Sequence, residues 1–156
     1  VGGGIRGGSQ GRGLRFGRSM RNRACRRAVF GEIDGYDFSD GMLAFARKKY
    51  RYRELAHVDL SQSDVIPDRG YRHAVLAGVL HHTHAPPETL SRTLACLPKD
   101  GCVVFSLNDE TLRSPKYTDY ISSLAQSGQV EVVSQEYGPH LPTRDVGARV
   151  YVLRKC

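Results

Sequence analysis

From Phe30 onward, short apolar runs alternate with stretches of helical spacing, each bounded by Gly, Pro, Asp or Ser. Glu32 to Asp37 reads as a short strand, and Ser39 or Asp40 caps a helix whose apolar face is Met42, Phe45 and Ala46 and whose end carries Arg47, Lys48 and Lys49. Ala56 to Leu60 is a second small strand. Tyr71 to Leu80 has a continuous apolar centre, the mark of a strand covered on both faces, so Val75 to Leu80 is expected in the middle of a sheet. Pro86 and Pro87 open a helix to about Leu97, with Leu90, Leu94 and Leu97 at helical spacing. The turn Pro98-Lys99-Asp100-Gly101 leads into a strand from Cys102 to Leu107, and a helix from Tyr117 to Gln126 follows. Val130 to Ser134 and Ala148 to Leu153, joined by a loop bearing Gly138, Pro139 and Pro142, close the pattern as a hairpin. Strands that alternate with helices predict a doubly wound, mostly parallel α/β sheet, with Ala148 to Leu153 antiparallel at an edge.

Composition divides the chain in two. Residues 1–30 hold eight of its 23 Lys and Arg and no acid, whereas the rest carries 15 basic and 16 acidic side chains. The net charge of +7 therefore belongs to the head and gives no basic patch on the body. Any nucleic-acid affinity is expected to reside in the head, to be salt-sensitive and to ignore sequence; a nucleic-acid partner is not expected of the body. Residues 1–29 read as an Arg/Gly-rich head, disordered or mistranslated, and residues 30–156 as the folded domain. Cys25, Cys96, Cys102 and Cys156 are widely spaced with no Cys-x-x-Cys pair, which favours reduced thiols over a zinc or dithiol site. No apolar run approaches the ~20 residues of a membrane span, and a cytoplasmic protein is expected.

The candidate chemistry begins at Asp37. An acid that ends the second strand of such a sheet, just before a helix, stands where a carboxylate accepts hydrogen bonds from ribose hydroxyls of a nucleotide-type ligand. Gly35-Tyr36-Asp37-Phe38-Ser39-Asp40-Gly41-Met42-Leu43, Ala74-Val75-Leu76-Ala77-Gly78-Val79-Leu80-His81-His82 and Leu97-Pro98-Lys99-Asp100-Gly101 occur in that order. Together they resemble the second-strand, fourth-strand and turn motifs of class I S-adenosylmethionine-dependent methyltransferases, and in detail the methyltransferase-like proteins named for the Williams–Beuren chromosomal region. The resemblance covers about Phe30 to Leu153 and implies a Rossmann-like fold with S-adenosylmethionine as cofactor. It also implies that Asp37 binds the ribose, that Phe38 and Met42 pack near the adenine, that Asp59 and Leu60 meet the adenine edge, and that Gly78 and Val79 lie beside the methionine part. The methyl acceptor, a small molecule or a protein, is not named by it. The sulfonium methyl is already electrophilic, so alignment and exclusion of water carry the catalysis and no universal catalytic residue is expected.

Plainer readings stand beside these. Asp37 also suits the start of a helix, and Asp-Leu-Ser-Gln at Asp59 also reads as a turn. His81, His82 and His84 are expected to line the acceptor side; adjacent histidines point in different directions and no acid partner is evident, so no metal is expected. The first strand and its glycine loop are missing or garbled: Gly2-Gly3-Gly4 and Gly11-Arg12-Gly13 follow no apolar strand. The codons of Arg15 to Arg27, read one base later, permit Val-Leu-Asp-Val-Ala-Cys-Gly-Thr-Gly-Leu-Val-Ala-Glu, which looks like the family's glycine loop in its expected place. A head read in the wrong frame, or from a mispredicted exon, also accounts for an Arg/Gly-rich segment on a neutral body. An inactive methyltransferase-like scaffold and an RNA-associated protein using the Arg/Gly head are the alternative readings.

Overall fold

The structure is a computed structural model that describes residues 12–16, 32–62, 66–141 and 146–156. Seven strands form one sheet in the order β3-β2-β1-β4-β5-β7-β6. They are β1 (Arg12–Phe16), β2 (Glu32–Asp37), β3 (Glu54–His57), β4 (His73–Leu76), β5 (Cys102–Asn108), β6 (Val130–Leu141) and β7 (Val146–Lys155). β1 to β5 pair with one another in parallel, while β7 runs antiparallel to both β5 and β6. The helices are α1 (Asp40–Arg47), α2 (Thr89–Ala95), α3 (Asp109–Leu112) and α4 (Pro115–Gln126).

β4 is the middle strand of the seven, as its apolar run requires. It ends at Leu76, four residues short of the predicted boundary, because Gly78 adopts φ 68°, a left-handed conformation that turns the chain off the sheet and that a side chain rarely tolerates. The antiparallel strand was expected at an edge, but β7 lies inside it and β6 is the edge strand. β6 also runs through the expected loop: Gly138 pairs with Ala148 and Pro139 with Gly147, with the register shifting between Pro139 and Leu141. A proline has no N–H to give the ladder, so an edge strand at a register break is where it is tolerated. In α1, Leu43 and Ala46 face the core, whereas Phe45 is half exposed beneath the Lys49 ammonium, 4.9 Å from its ring centre. α3 is a further short helix, begun by the Asn108 side chain accepting from the Thr111 N–H.

β1 falls in the segment that the sequence reading sets apart as a head, and its presence differs from the expectation of a missing first strand. The reason lies in the main chain. Parallel β2 and β4 present facing rows of N–H and C=O groups that must be satisfied, and any segment able to extend can satisfy them. Arg12 to Phe16 pairs in register with Glu32 to Tyr36 on one side, and Gly13 to Phe16 with His73 to Leu76 on the other. The glycine-loop segment, Phe30 and the remainder of the head lie outside the described residues.

One polar cluster pins the lower part of β2. The buried Tyr36 and Tyr71 hydroxyls are 2.7 Å apart, Tyr71 donates to Asp34 Oδ2 at 2.7 Å, and Arg53 holds both Asp34 oxygens while also reaching Glu32 at 2.8 Å. Burial would raise the Asp34 carboxyl, but hydrogen bonds from Arg53 and Tyr71, with the charges of Arg53 and Arg69, hold it below its ordinary value. A lowered folded-state value supplies stability that is present above about pH 3.8 and is lost as pH falls through that lower value. Tyr71→Phe removes the hydroxyl that bonds both Asp34 Oδ2 and the Tyr36 hydroxyl. It is expected to cost about 1–3 kcal/mol, read as a lower urea midpoint with an unchanged slope. A variant as stable as the parent would show that the cluster contributes nothing.

Candidate functional site

The strand order reverses between β1 and β4, so the chain leaves the carboxyl ends of β2 and β4 on diverging paths and opens a crevice there. An open cleft lies at that point, lined by Tyr36, Asp37 and Phe38 at the end of β2, Val58, Asp59 and Leu60 after β3, and Gly78, Val79, His84 and Ala85 after β4.

Asp37 is nearly buried. Its Oδ1 accepts the Ser39 N–H at 2.9 Å, and Ser39 in turn caps α1 by accepting the Met42 N–H on Oγ at 3.4 Å. One carboxylate oxygen thus builds the turn, and the helix N-terminus beyond it favours negative charge. The other oxygen, Oδ2, is buried without a hydrogen-bond partner among the described residues. A buried carboxylate oxygen left unpaired costs energy unless a ligand supplies a donor, so this atom fits a ribose hydroxyl. The plain helix-start reading of Asp37 and the ligand reading use different oxygens of the same group.

Phe38 is half exposed and its ring stacks against that of His84, with centroids 5.9 Å apart and planes 29° from parallel. The pair makes an aromatic wall on which a flat heterocycle can rest. Opposite, Val58 is tied to β2 by its N–H donating to the Asp37 carbonyl at 3.2 Å. Asp59 Oδ1 accepts from both the N–H and the hydroxyl of Ser61, at 2.9 and 2.7 Å, which lowers its pKa and shapes the short turn Leu60–Gln62. Its turn reading is therefore real, and it lines the cleft as well.

Six of the seven residues that the resemblance implies, Asp37, Phe38, Asp59, Leu60, Gly78 and Val79, come together around this one cleft. Met42 is not part of its lining; its main-chain N–H serves the α1 cap. Tyr36, Val58 and Ala85 were not foreseen, while His84 was expected on the acceptor side and lies in this lining. Tyr36 and Val58 adjoin foreseen residues, but His84 reaches the cleft only because the turn after Leu80, closed by the His84 and Ala85 N–H groups on the His81 carbonyl, brings it back. The expectation that adjacent histidines diverge is also corrected: that same turn places the His81 and His82 rings 4.0 Å apart. An acid partner exists too, since Glu110 on α3 stands 3.1 Å from His81 Nε2 and 3.9 Å from His82 Nε2.

The comparisons agree with this architecture. The profile of a family described as a methyltransferase domain matches residues 11–137, most of the chain, and the chain belongs to that family. It is a methyltransferase-class α/β protein with a mixed sheet. No curated protein matches its sequence. Among solved structures, the N-methyltransferase NodS from Bradyrhizobium japonicum WM9 superposes with a TM-score of 0.67 at 16% identity, covering 93% of this chain and 85% of that one. A SAM-dependent methyltransferase from Thiobacillus denitrificans, crystallised with S-adenosyl-L-homocysteine, gives 0.66 at 13% identity over 95% and 86%. The [4+2]-cyclase SpnF gives 0.64 at 18% identity over 93% and 74%. At these identities the likeness is one of fold. No helix among the described residues is long and apolar enough to cross a membrane.

Proposed function

We propose that the cleft at the ends of β2, β3 and β4 binds S-adenosylmethionine and that the domain transfers its methyl group to a polar acceptor, a small molecule or a protein side chain. The observation that carries this reading is the buried, unpartnered Asp37 Oδ2 at the strand-order reversal of a methyltransferase-family sheet. Asp37 would hold the ribose, the Phe38 and His84 rings would cover the adenine, Asp59 and Leu60 would meet its edge, and the main chain at Gly78 and Val79 would lie beside the methionine part. The cofactor supplies a sulfonium-bound methyl that needs no activation. The residues of the chain have only to orient it and shield it from water.

The kinship with the methyltransferase-like proteins of the Williams–Beuren region rests on the motifs at Gly35 to Leu43 and Ala74 to His82, and belongs to the same reading. So does the division of the chain near residue 29, with Arg15 to Arg27 standing where an in-frame glycine loop belongs. The chain as written, without that loop, is the inactive-scaffold reading; the chain with it is the enzyme. The test is calorimetric titration of both with S-adenosylhomocysteine, using adenosine and NAD as controls. Selective binding of S-adenosylhomocysteine by the loop-bearing chain is expected, and no binding by either chain would reject the proposal.

A further inference from the structure

His81, His82 and Glu110 bring one donor atom each to a single spot, all within 4.8 Å of one another. The three come from two elements that pack together. The histidines sit on the turn after β4, Glu110 sits on α3, and the Thr111 hydroxyl of α3 donates to the Leu80 carbonyl at 3.5 Å, so the helix is fastened to the strand end that carries the histidines. His81 is the anchored member. It is largely buried, and its Nδ1 lies 2.9 Å from Thr83 Oγ1, which fixes the ring and turns Nε2 toward the carboxylate. His82 and Glu110 are more exposed and free to adjust.

We infer that this trio is a binding site for a divalent transition-metal ion of the zinc class. Two imidazoles and a carboxylate form a ligand set suited to zinc, with a fourth position left to water or substrate. Tetrahedral bonds of about 2.0–2.1 Å place donor atoms about 3.3 Å apart. His81 Nε2 lies 3.1 Å from Glu110 Oε2, close to that spacing, and His82 Nε2 lies 3.9 Å from the other oxygen, Oε1, so that rotation of the two exposed side chains, His82 and Glu110, brings one donor from each residue around an ion. The bond from His81 Nδ1 to Thr83 is the outer hydrogen bond that metal-bound histidines require to set ring orientation. The site adjoins the cleft, because the His81 ring centre is 5.7 Å from that of His84, which lines it. An ion there would acidify an acceptor hydroxyl or thiol bound at its open position, so that the proton passes to solvent water and the resulting alkoxide or thiolate takes the methyl as the methyl–sulfonium bond breaks; that use, though not the binding itself, rests on the methyltransferase reading.

The experiment uses the full chain without cofactor. Zn²⁺ is titrated against a chromophoric chelator, and Co²⁺ is added separately so that its visible absorption reports the ligand geometry. One equivalent is expected to bind, with Co²⁺ giving the intense bands of a low-coordinate nitrogen and oxygen site. His82→Ala and Glu110→Gln, both at exposed positions, are each expected to weaken binding about tenfold or more, and His84→Ala is expected to leave it unchanged. Equal Zn²⁺ affinity in the parent, His82→Ala and Glu110→Gln would overturn the proposal, as would an octahedral cobalt spectrum from loosely held ions. Cofactor titration is run apart from this, so a chain that binds zinc but no S-adenosylhomocysteine keeps the metal site and loses the methyltransferase reading.

Discussion

A chain whose residues 15–27 are replaced by Val-Leu-Asp-Val-Ala-Cys-Gly-Thr-Gly-Leu-Val-Ala-Glu is expected to bind S-adenosylmethionine clearly, whereas the chain as written binds it weakly or not at all. The glycines of such a loop let the main chain approach the ribose and carboxypropyl parts closely, and their amides meet polar oxygens. Two hydrogen bonds to charged groups, at about 1.5–3 kcal/mol each, amount to about two to four orders of magnitude in affinity. The replacement also changes Arg15 and Phe16 at the end of β1, so the strand end and the loop are altered together. Calorimetric titration of the two chains with the same cofactor decides the matter. Equal affinities would sink the reading-frame explanation.

The second large effect lies at Asp37 in the loop-bearing chain. Asp37→Ala removes the orphaned Oδ2 together with the Oδ1 that accepts the Ser39 N–H, so both the ribose contact and the turn are lost. Charge-assisted hydrogen bonds worth about 1.5–3 kcal/mol imply binding weakened roughly 10- to 150-fold. Asp37→Asn separates the two roles: its carbonyl oxygen still accepts from Ser39, while the charge is gone. An intermediate loss in Asp37→Asn, with thermal stability close to the parent, is the expected signature of a ligand contact. If Asp37→Ala binds as well as the parent, the ribose assignment fails.

Much of this site was legible because its residues sit at strand ends marked by local chemistry. β2 runs from Glu32 to Asp37 as read, because Asp37 and Ser39 bond within the turn and end the strand there. The apolar run from Ala74 placed β4 at the centre, but apolar character alone does not tell a strand from the bend that follows it, and Gly78 ended the strand early. In α1 the face was read as Met42, Phe45 and Ala46, whereas packing buries Leu43 with Ala46 and leaves Phe45 half exposed. β6 was read short because Gly138 and Pro139 are turn residues in isolation, and only its edge position lets the pairing continue. The histidine cluster was the least legible. His81 and His82 were visible, but their convergence needs a turn closed by main-chain bonds, and Glu110 joins from another element altogether.

β1 shows how little a parallel ladder asks of the side chains it carries. Its place between β2 and β4 is held by main-chain pairing to both strands, with Arg-Gly-Leu-Arg-Phe as the paired segment. Filling the slot between β2 and β4 is a matter of main-chain pairing, separate from the chemistry of whatever loop follows β1.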